Sequence, residues 1–199
     1  MIKNIIFDLG GVLVDFDPKS SMNNHIDKKY HSLFFENVYH SQEWYDLDKG
    51  LITVEQAYEK MSSRLPECLY ESLNTILYDH EGEMPPIAEM YSVVKHLKNS
   101  GFNLYLLSNC PVWFDTYKNS VPACKFFDGF VISAQYNQNK PEKEIYYTLL
   151  NEFNLKAEEC FFIDDSKANT DAAEEIGIKS YCFADGDIDK LMNIFKELT

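Results

Sequence analysis

The feature that most constrains this chain is a short apolar run that stops on an acid: Ile2–Phe7 ends at Asp8, and Gly10 and Gly11 follow at once. Comparable runs recur at Leu104–Leu107, Phe130–Ile132 and Phe161–Ile163, with a weaker one at Tyr181–Phe183. Nearly continuous apolar runs of this length suit strands that are buried on both faces, as parallel strands are. The segments between them carry helical spacing. Pro85–Asn99 repeats apolar residues at Ile87, Met90, Tyr91, Val94 and Leu97 and stops near Gly101. Pro141–Phe153 opens on a proline suited to a first helical turn and sets Ile145, Tyr146, Leu149 and Leu150 on one face. Ala168–Ile176 ends at Gly177, and Ile188–Leu198 closes the pattern.

Strands alternating with helices predict an α/β fold: a Rossmann-like three-layer α/β/α core around a parallel sheet. One stretch breaks the alternation. From Pro18 to His80 only helical pattern is found, at Leu33–Tyr39, Val54–Leu65 and Cys68–Tyr78, and Thr53 with Gln56 forms a capping-box start for the second. The expected organisation is therefore a core domain of residues 1–17 and 81–199 with a small inserted helical cap domain of residues 18–80. The cap is expected over the carboxyl edge of the sheet, where doubly wound folds bind ligands.

Composition narrows the partners. With 199 residues there is room for one sizeable core and a small appendage. Thirty-two acids against eighteen bases give a net charge of −14, and Arg64 is the only arginine. Nucleic-acid binding needs a basic surface, so it is not expected here. The same field repels anionic substrates, so a phosphate site in this chain has to create its own local positive charge. No apolar run is long enough to span a membrane, and the apolar start lacks the marks of a secretory leader, so a cytoplasmic protein is expected. Five cysteines, odd in number and never paired as CxxC, argue against a disulfide framework and against zinc. Oligomeric state is not legible.

The chemistry gathers where the runs end. The first closes on Asp8-Leu9-Gly10-Gly11, the second on Ser108-Asn109, and Phe161–Ile163 runs into Asp164-Asp165; Lys140 stands just before the Pro141 segment. Taken singly, each is an ordinary turn or cap residue. In a parallel sheet, strand ends on one edge are neighbours, and four such coincidences in this order point to one site. Clustered carboxylates keep their charge when a cation joins them, and an all-oxygen set suits magnesium, with Asp8 and Asp165 as ligands and Asp164 assisting. Gly10 and Gly11 allow the backbone a tight turn and close approach to a phosphate or metal. Ser108 can donate to a phosphoryl oxygen, and Lys140 supplies fixed charge.

These segments resemble the four motifs of the haloacid dehalogenase superfamily. Phe7–Asp15 resembles the first, Leu106–Asn109 the second, Lys140–Tyr146 the third with Ser133 before it, and Phe162–Asn169 with Ala172-Ala173 the fourth. Lys49–Thr53 is similar to the glycine-containing turn inside the family's caps. The resemblance implies a phosphatase in which Asp8 attacks phosphorus and becomes an aspartyl-phosphate. Ser108, Lys140, the Asn109 backbone and Gly11 would hold the phosphoryl group. Asp8, the Gly10 carbonyl and Asp165 would bind Mg2+, supported by Asp164, and the substrate would be a small phosphorylated metabolite.

One position departs from the pattern. Most phosphatases of the superfamily carry a general acid two residues after the nucleophile, and here that residue is Gly10. The glycine is shared by a subgroup that includes sugar-phosphate phosphatases acting on glucose 1-phosphate, whose leaving group departs readily. Two other readings stand beside this one. A metal-independent 2-haloacid dehalogenase also lacks that acid, but Asp164-Asp165 and the scarcity of arginine oppose it. A non-catalytic binding protein on the same fold is opposed by the otherwise complete set. A phosphomutase, which needs the missing acid, is disfavoured. In the cap, Trp44, Tyr45, Asp46, Asp48, His25 and His40 are candidates for substrate contact, although packing of the cap's small core is the plainer expectation for Trp44 and Tyr45. Trp113 has the same ambiguity, and Cys110 is expected to be a bystander.

Overall fold

Five parallel strands in the order β3-β2-β1-β4-β5 form the centre of the computed structural model, which describes residues 1–198 apart from the side chains of His80 and Glu81. Thr199, the last residue of the expected core unit, lies outside the described residues. The strands are β1 (Asn4–Phe7), β2 (Asn103–Ser108), β3 (Gly129–Ile132), β4 (Cys160–Asp164) and β5 (Lys179–Cys182). Alternate residues of each apolar run face opposite layers. Ile5, Phe7, Leu104, Leu106, Phe161 and Ile163 pack with the helices Ala88–Asn99 and Ile188–Leu198. Ile6, Tyr105, Leu107, Val131 and Phe162 pack with the helices Lys143–Glu152 and Lys167–Glu175. Burial on both sides is what made the runs continuous in sequence rather than alternating.

The chain moves outward from β1 through β2 to β3, then crosses back to β4 and on to β5. The order therefore reverses between β1 and β4, and the crevice beyond their carboxyl ends is the usual ligand position in such sheets. No helix among the described residues is long and apolar enough to cross a membrane.

The two helices expected to open on a proline both start later than that proline. The segment expected to begin at Pro85 is helical only from Ala88. Residues 85–87 are extended instead: Asp15 N donates to Pro85 O and Ile87 N to Leu13 O, both at 2.9 Å. A residue that precedes a proline resists the helical region, so pairing with the turn after β1 wins. Similarly, Pro141 is not in the first turn of its helix, which begins at Lys143 after Glu142 as N-cap. The Lys140–Pro141 peptide is cis, and Glu142 N closes a turn onto Asn139 O at 2.8 Å.

Between Pro18 and Glu83 the regular secondary structure is all helical. The helices Pro18–His25, His31–Asn37, Gln42–Asp48, Val54–Ser62 and Tyr70–Tyr78 surround a hydrophobic cluster of their own, with Phe34, Val38, Ala57, Met61 and Leu73 fully buried. The capping box of Thr53 and Gln56 is present, each side chain taking the other's backbone N–H. Gln42–Asp48 was not expected as a helix. Its signal was Ser41, whose hydroxyl accepts from Trp44 N in an ordinary N-cap.

Candidate active site

Asp8 leaves β1 directly across from Asp164 of β4, because Phe7 is in register with Ile163 and Asp8 N donates to Ile163 O at 2.9 Å. On the other side Phe7 is in register with Leu106, so Ser108 ends β2 one residue beyond the position facing Asp8. Ser108 is buried and lines the cavity above the sheet edge. Lys140 arrives from the turn after β3 and is buried, its Nζ 2.8 Å from Asp8 Oδ1 and 2.6 Å from Asp164 Oδ2. Asp165 completes the set: carboxylate oxygens of Asp8, Asp164 and Asp165 all lie within 4.8 Å of one another.

Local structure fixes each of these groups. After β1 the chain reverses tightly, Val12, Leu13 and Val14 each donating to Leu9 O. Gly11 sits at φ +66°, and a Cβ there would lie 2.5 Å from Asp165 Oδ2, so glycine is required both for the turn and for the approach of Asp165. Gly10 lines the cavity beside Leu9. The side chain of Asn109 clasps the Lys140 backbone from both sides: its Oδ1 accepts from Lys140 N at 2.8 Å and its Nδ2 donates to Lys140 O at 2.9 Å. Asn169, in the first turn of the helix after β4, donates to both oxygens of Asp164 at 2.9 and 3.1 Å, and Ser166 N donates to Asp164 Oδ1 at 2.8 Å. The clasp by Asn109 and the orienting bond from Asn169 had no assigned part in the sequence reading. Asn169 lies five residues after Asp164 in the opening turn of a helix, a spacing that returns a side chain to the strand end.

The electrostatics are those of a crowded anionic site with one cation. Burial pushes the Asp8 carboxyl up to about 7, repulsion from Asp164 and Asp165 adds to it, and Lys140 works against it. Asp165 is raised by burial and by Asp164. For Lys140, burial alone would lower the ammonium's value, but Asp164 and Asp8 outweigh it and the net shift is upward. Two carboxylates thus pair with one ammonium, and a third, Asp165, stands beside them. The surplus negative charge, the all-oxygen donors and their mutual spacing fit a divalent hard cation, and Asp8, Asp165 and Asp164 are the residues that would hold it.

A partly enclosed cavity opens above this edge, lined by Leu9, Gly10, Ser108 and Asn109 on the side of the sheet. Its far wall is the helical insertion. Helix Gln42–Asp48 is tied to the turns after β3, Ser133 Oγ donating to Asp48 O and Asn137 Nδ2 to Lys49 O at 3.0 Å. Of the cap candidates, Trp44 and Asp48 reach the cavity. Burial, and then the Asp8 charge, push the Asp48 carboxyl up to about 7. Trp44 also packs on the insertion's cluster, as the plainer expectation had it. Tyr45 is exposed, and its hydroxyl bonds Glu142, which also binds Lys49 Nζ at 2.6 Å. Asp46 accepts from Gln42 Nε2, and His40 lies against the Phe35 ring. His25 pairs with Glu83 at 2.7 Å. Trp113 lines the cavity. Burial lifts the Cys110 thiol well above its usual range, so it stays protonated, as a bystander would.

Comparison with known proteins agrees with this architecture. The chain is 28% identical over 177 residues to a sesquiterpene phosphatase of Aspergillus oryzae, covering 88% of this chain and 87% of that protein. It is 22% identical over 200 residues to a D-ribitol-5-phosphate phosphatase of Bacteroides thetaiotaomicron, covering 91% of each. A crystal structure of a HAD family enzyme from the same bacterium, in complex with magnesium and inorganic phosphate, superposes with a TM-score of 0.71 at 23% identity, covering 91% of this chain and 93% of that one. The sequence profile described as haloacid dehalogenase-like hydrolase matches residues 5–183, a span that takes in the strand ends, the polar cluster on them and the helices facing it. By that match, the chain belongs to the haloacid dehalogenase-like hydrolase family.

Proposed function

We propose that this chain is a magnesium-dependent phosphoric monoester hydrolase that releases phosphate from a small phosphorylated metabolite, with Asp8 as nucleophile. The observation that carries this is the buried contact of Asp8 with Lys140, inside a triangle of carboxylates that a divalent cation would complete. The two relatives' names share only the phosphatase chemistry, which is the part this geometry supports.

In this reading an Asp8 carboxylate oxygen forms a bond to phosphorus while the ester P–O bond breaks. The oxygen that leaves carries its electron pair and takes up a proton. Lys140 and Ser108 hold phosphoryl oxygens, and Asn109 keeps Lys140 in place through its backbone. Water then attacks phosphorus, inorganic phosphate departs, and the Asp8 carboxylate is restored. A magnesium ion bound by Asp8, Asp165 and Asp164 would neutralise charge on the phosphoryl group. Gly10 cannot protonate the leaving oxygen. Asp48 is the carboxyl group that the inserted helices present in the cavity, close enough to Asp8 for their charges to repel, and we assign it that proton. Residues 18–80 act in this scheme as the cap that closes the site.

The test is hydrolysis of p-nitrophenyl phosphate and of simple alkyl phosphates, with magnesium and with chelator. Asp8→Asn should remove turnover by at least about 1,000-fold, and chelator should do the same for the parent. Asp48→Asn should slow alkyl phosphates by about 100-fold or more and p-nitrophenyl phosphate by only a few-fold, since that leaving group needs no proton. Full activity of Asp8→Asn would refute the nucleophile, and metal-independent release of chloride from 2-chloropropionate would replace the proposal with dehalogenation.

A further inference from the structure

We infer that the substrate is a phosphate monoester with an apolar body, an alkyl or isoprenoid chain, lying in the cavity between the sheet edge and the inserted helices. The inference rests on the phosphatase reading for the phosphate end only; the cavity lining carries the rest. Beyond the sheet edge that lining is Phe16, Trp44, Leu47, Ile76, Met84 and Trp113, and Asp48 is the charged group among them. Phe16 and Trp44 are stacked, with centroids 6.3 Å apart and planes 22° from parallel. A second hollow opens on the other side of the same residues, sharing Phe16, Trp44, Ile76, Met84 and Trp113 with the first and adding Asp17, Ser21, Tyr39 and Glu83 at its far end.

Polar groups of the insertion with the chemistry to bind a polyol are engaged elsewhere. Lys49 and Tyr45 both bond Glu142, and Arg64 is paired with Glu43. At the far end of the second hollow, Tyr39 donates to Ser21 Oγ at 3.1 Å, Ser21 donates to Glu83, and Glu83 pairs with His25. These groups satisfy one another and close the hollow. A chain of several hydroxyls would lose its water along this surface with few partners to replace it, a cost that falls on each hydroxyl separately. A hydrocarbon of the same length gains from the same surface instead, about fourfold in affinity per buried methylene.

The experiment measures kcat/KM for n-alkyl phosphates from ethyl to decyl, farnesyl monophosphate, ribitol 5-phosphate and glucose 6-phosphate, with p-nitrophenyl phosphate as the reference for chemistry. A rise of about fourfold per methylene, levelling once the hollows are filled, is expected, with farnesyl monophosphate above both polyol phosphates. Met84→Gln, which keeps volume but adds a polar group, and Ile76→Asn should flatten that slope. The readout is the octyl-to-ethyl ratio within one preparation, so loss of folded enzyme cancels. A flat series, or a polyol phosphate as best substrate, overturns the inference while p-nitrophenyl phosphate turnover leaves the phosphatase reading standing. Absence of all turnover instead overturns the phosphatase reading. Binding of the alkyl series to Asp8→Asn protein, followed by fluorescence of Trp44 and Trp113, then decides the apolar body by itself: affinity rising with chain length supports it, and invariant affinity refutes it.

Discussion

The sheet edge and the inserted helices face each other across one cavity, and they handle charge in opposite ways. At the sheet edge, ionisable groups are drawn into the interior: Lys140 and Asp164 are almost wholly buried, and Asp8 is nearly so. In the insertion, ion pairs such as Arg64–Glu43 stay toward solvent, and the wall facing Asp8 is apolar apart from Asp48. Buried charges cost much to desolvate and persist only with partners held in place. Asn169, holding Asp164 at the end of β4, and Asn109, clasping the Lys140 backbone, supply that rigidity. The difference teaches that one half of the site is built to act on a charged group, and the other to enclose an uncharged one.

The sharpest way to break this comparison is to remove the ammonium that the buried carboxylates share. Lys140→Ala leaves Asp8 and Asp164 facing each other, and should cost roughly 3–5 kcal/mol of stability together with nearly all turnover. Urea unfolding and steady-state assays check it; a loss below about 1 kcal/mol would mean that the edge is more solvated than its burial indicates.

A somewhat smaller effect is expected in the insertion, where only packing is at stake. Leu73 is fully buried in the insertion's cluster, and Leu73→Ala should cost about 2–5 kcal/mol. Hydrogen exchange should show lost protection between residues 18 and 78, with the five strands keeping theirs. Loss spread evenly over the strands would show that the two regions unfold as one.

The smallest effect belongs to the solvent-facing charges. Arg64 holds the Glu43 carboxyl below its ordinary value of 4.5, chiefly through their hydrogen bond. Because the folded value is the lower one, the stabilisation is complete above 4.5 and fades as pH falls through the depressed value. Arg64→Ala should therefore cost less than about 1 kcal/mol at neutral pH and nothing in strong acid. Thermal melts of parent and variant across that range measure the difference, and a gap that widens toward acid would contradict the assignment.

How much of this was legible beforehand follows from how local each signal is. Asp8, Ser108 and the Asp164-Asp165 pair were readable because each ends an apolar run, and adjacency of parallel strands does the rest. Lys140 was readable as a neighbour of the same edge, but its clasp by Asn109 joins residues thirty-one apart and leaves no local trace. The two prolines show the limit of local rules. Pro85 and Pro141 both read as helix openings, yet pairing with residues 13–15 claimed the first, and a turn fixed around Lys140 took the second.

Local sequence was enough for the four strands β1 to β4 and the chemical groups at their ends, because an apolar run and its termination are properties of a few consecutive residues. The half-exposed β5, found at Lys179–Cys182 rather than Tyr181–Phe183, left a weaker signal. Only the tertiary structure decided which residues form the opposite wall. Phe16, Trp44, Ile76, Met84 and Trp113 come from separate segments and look like ordinary core residues in each. They become one apolar surface because the insertion packs its own cluster and then docks on the turns after β3, and no window of sequence contains that docking.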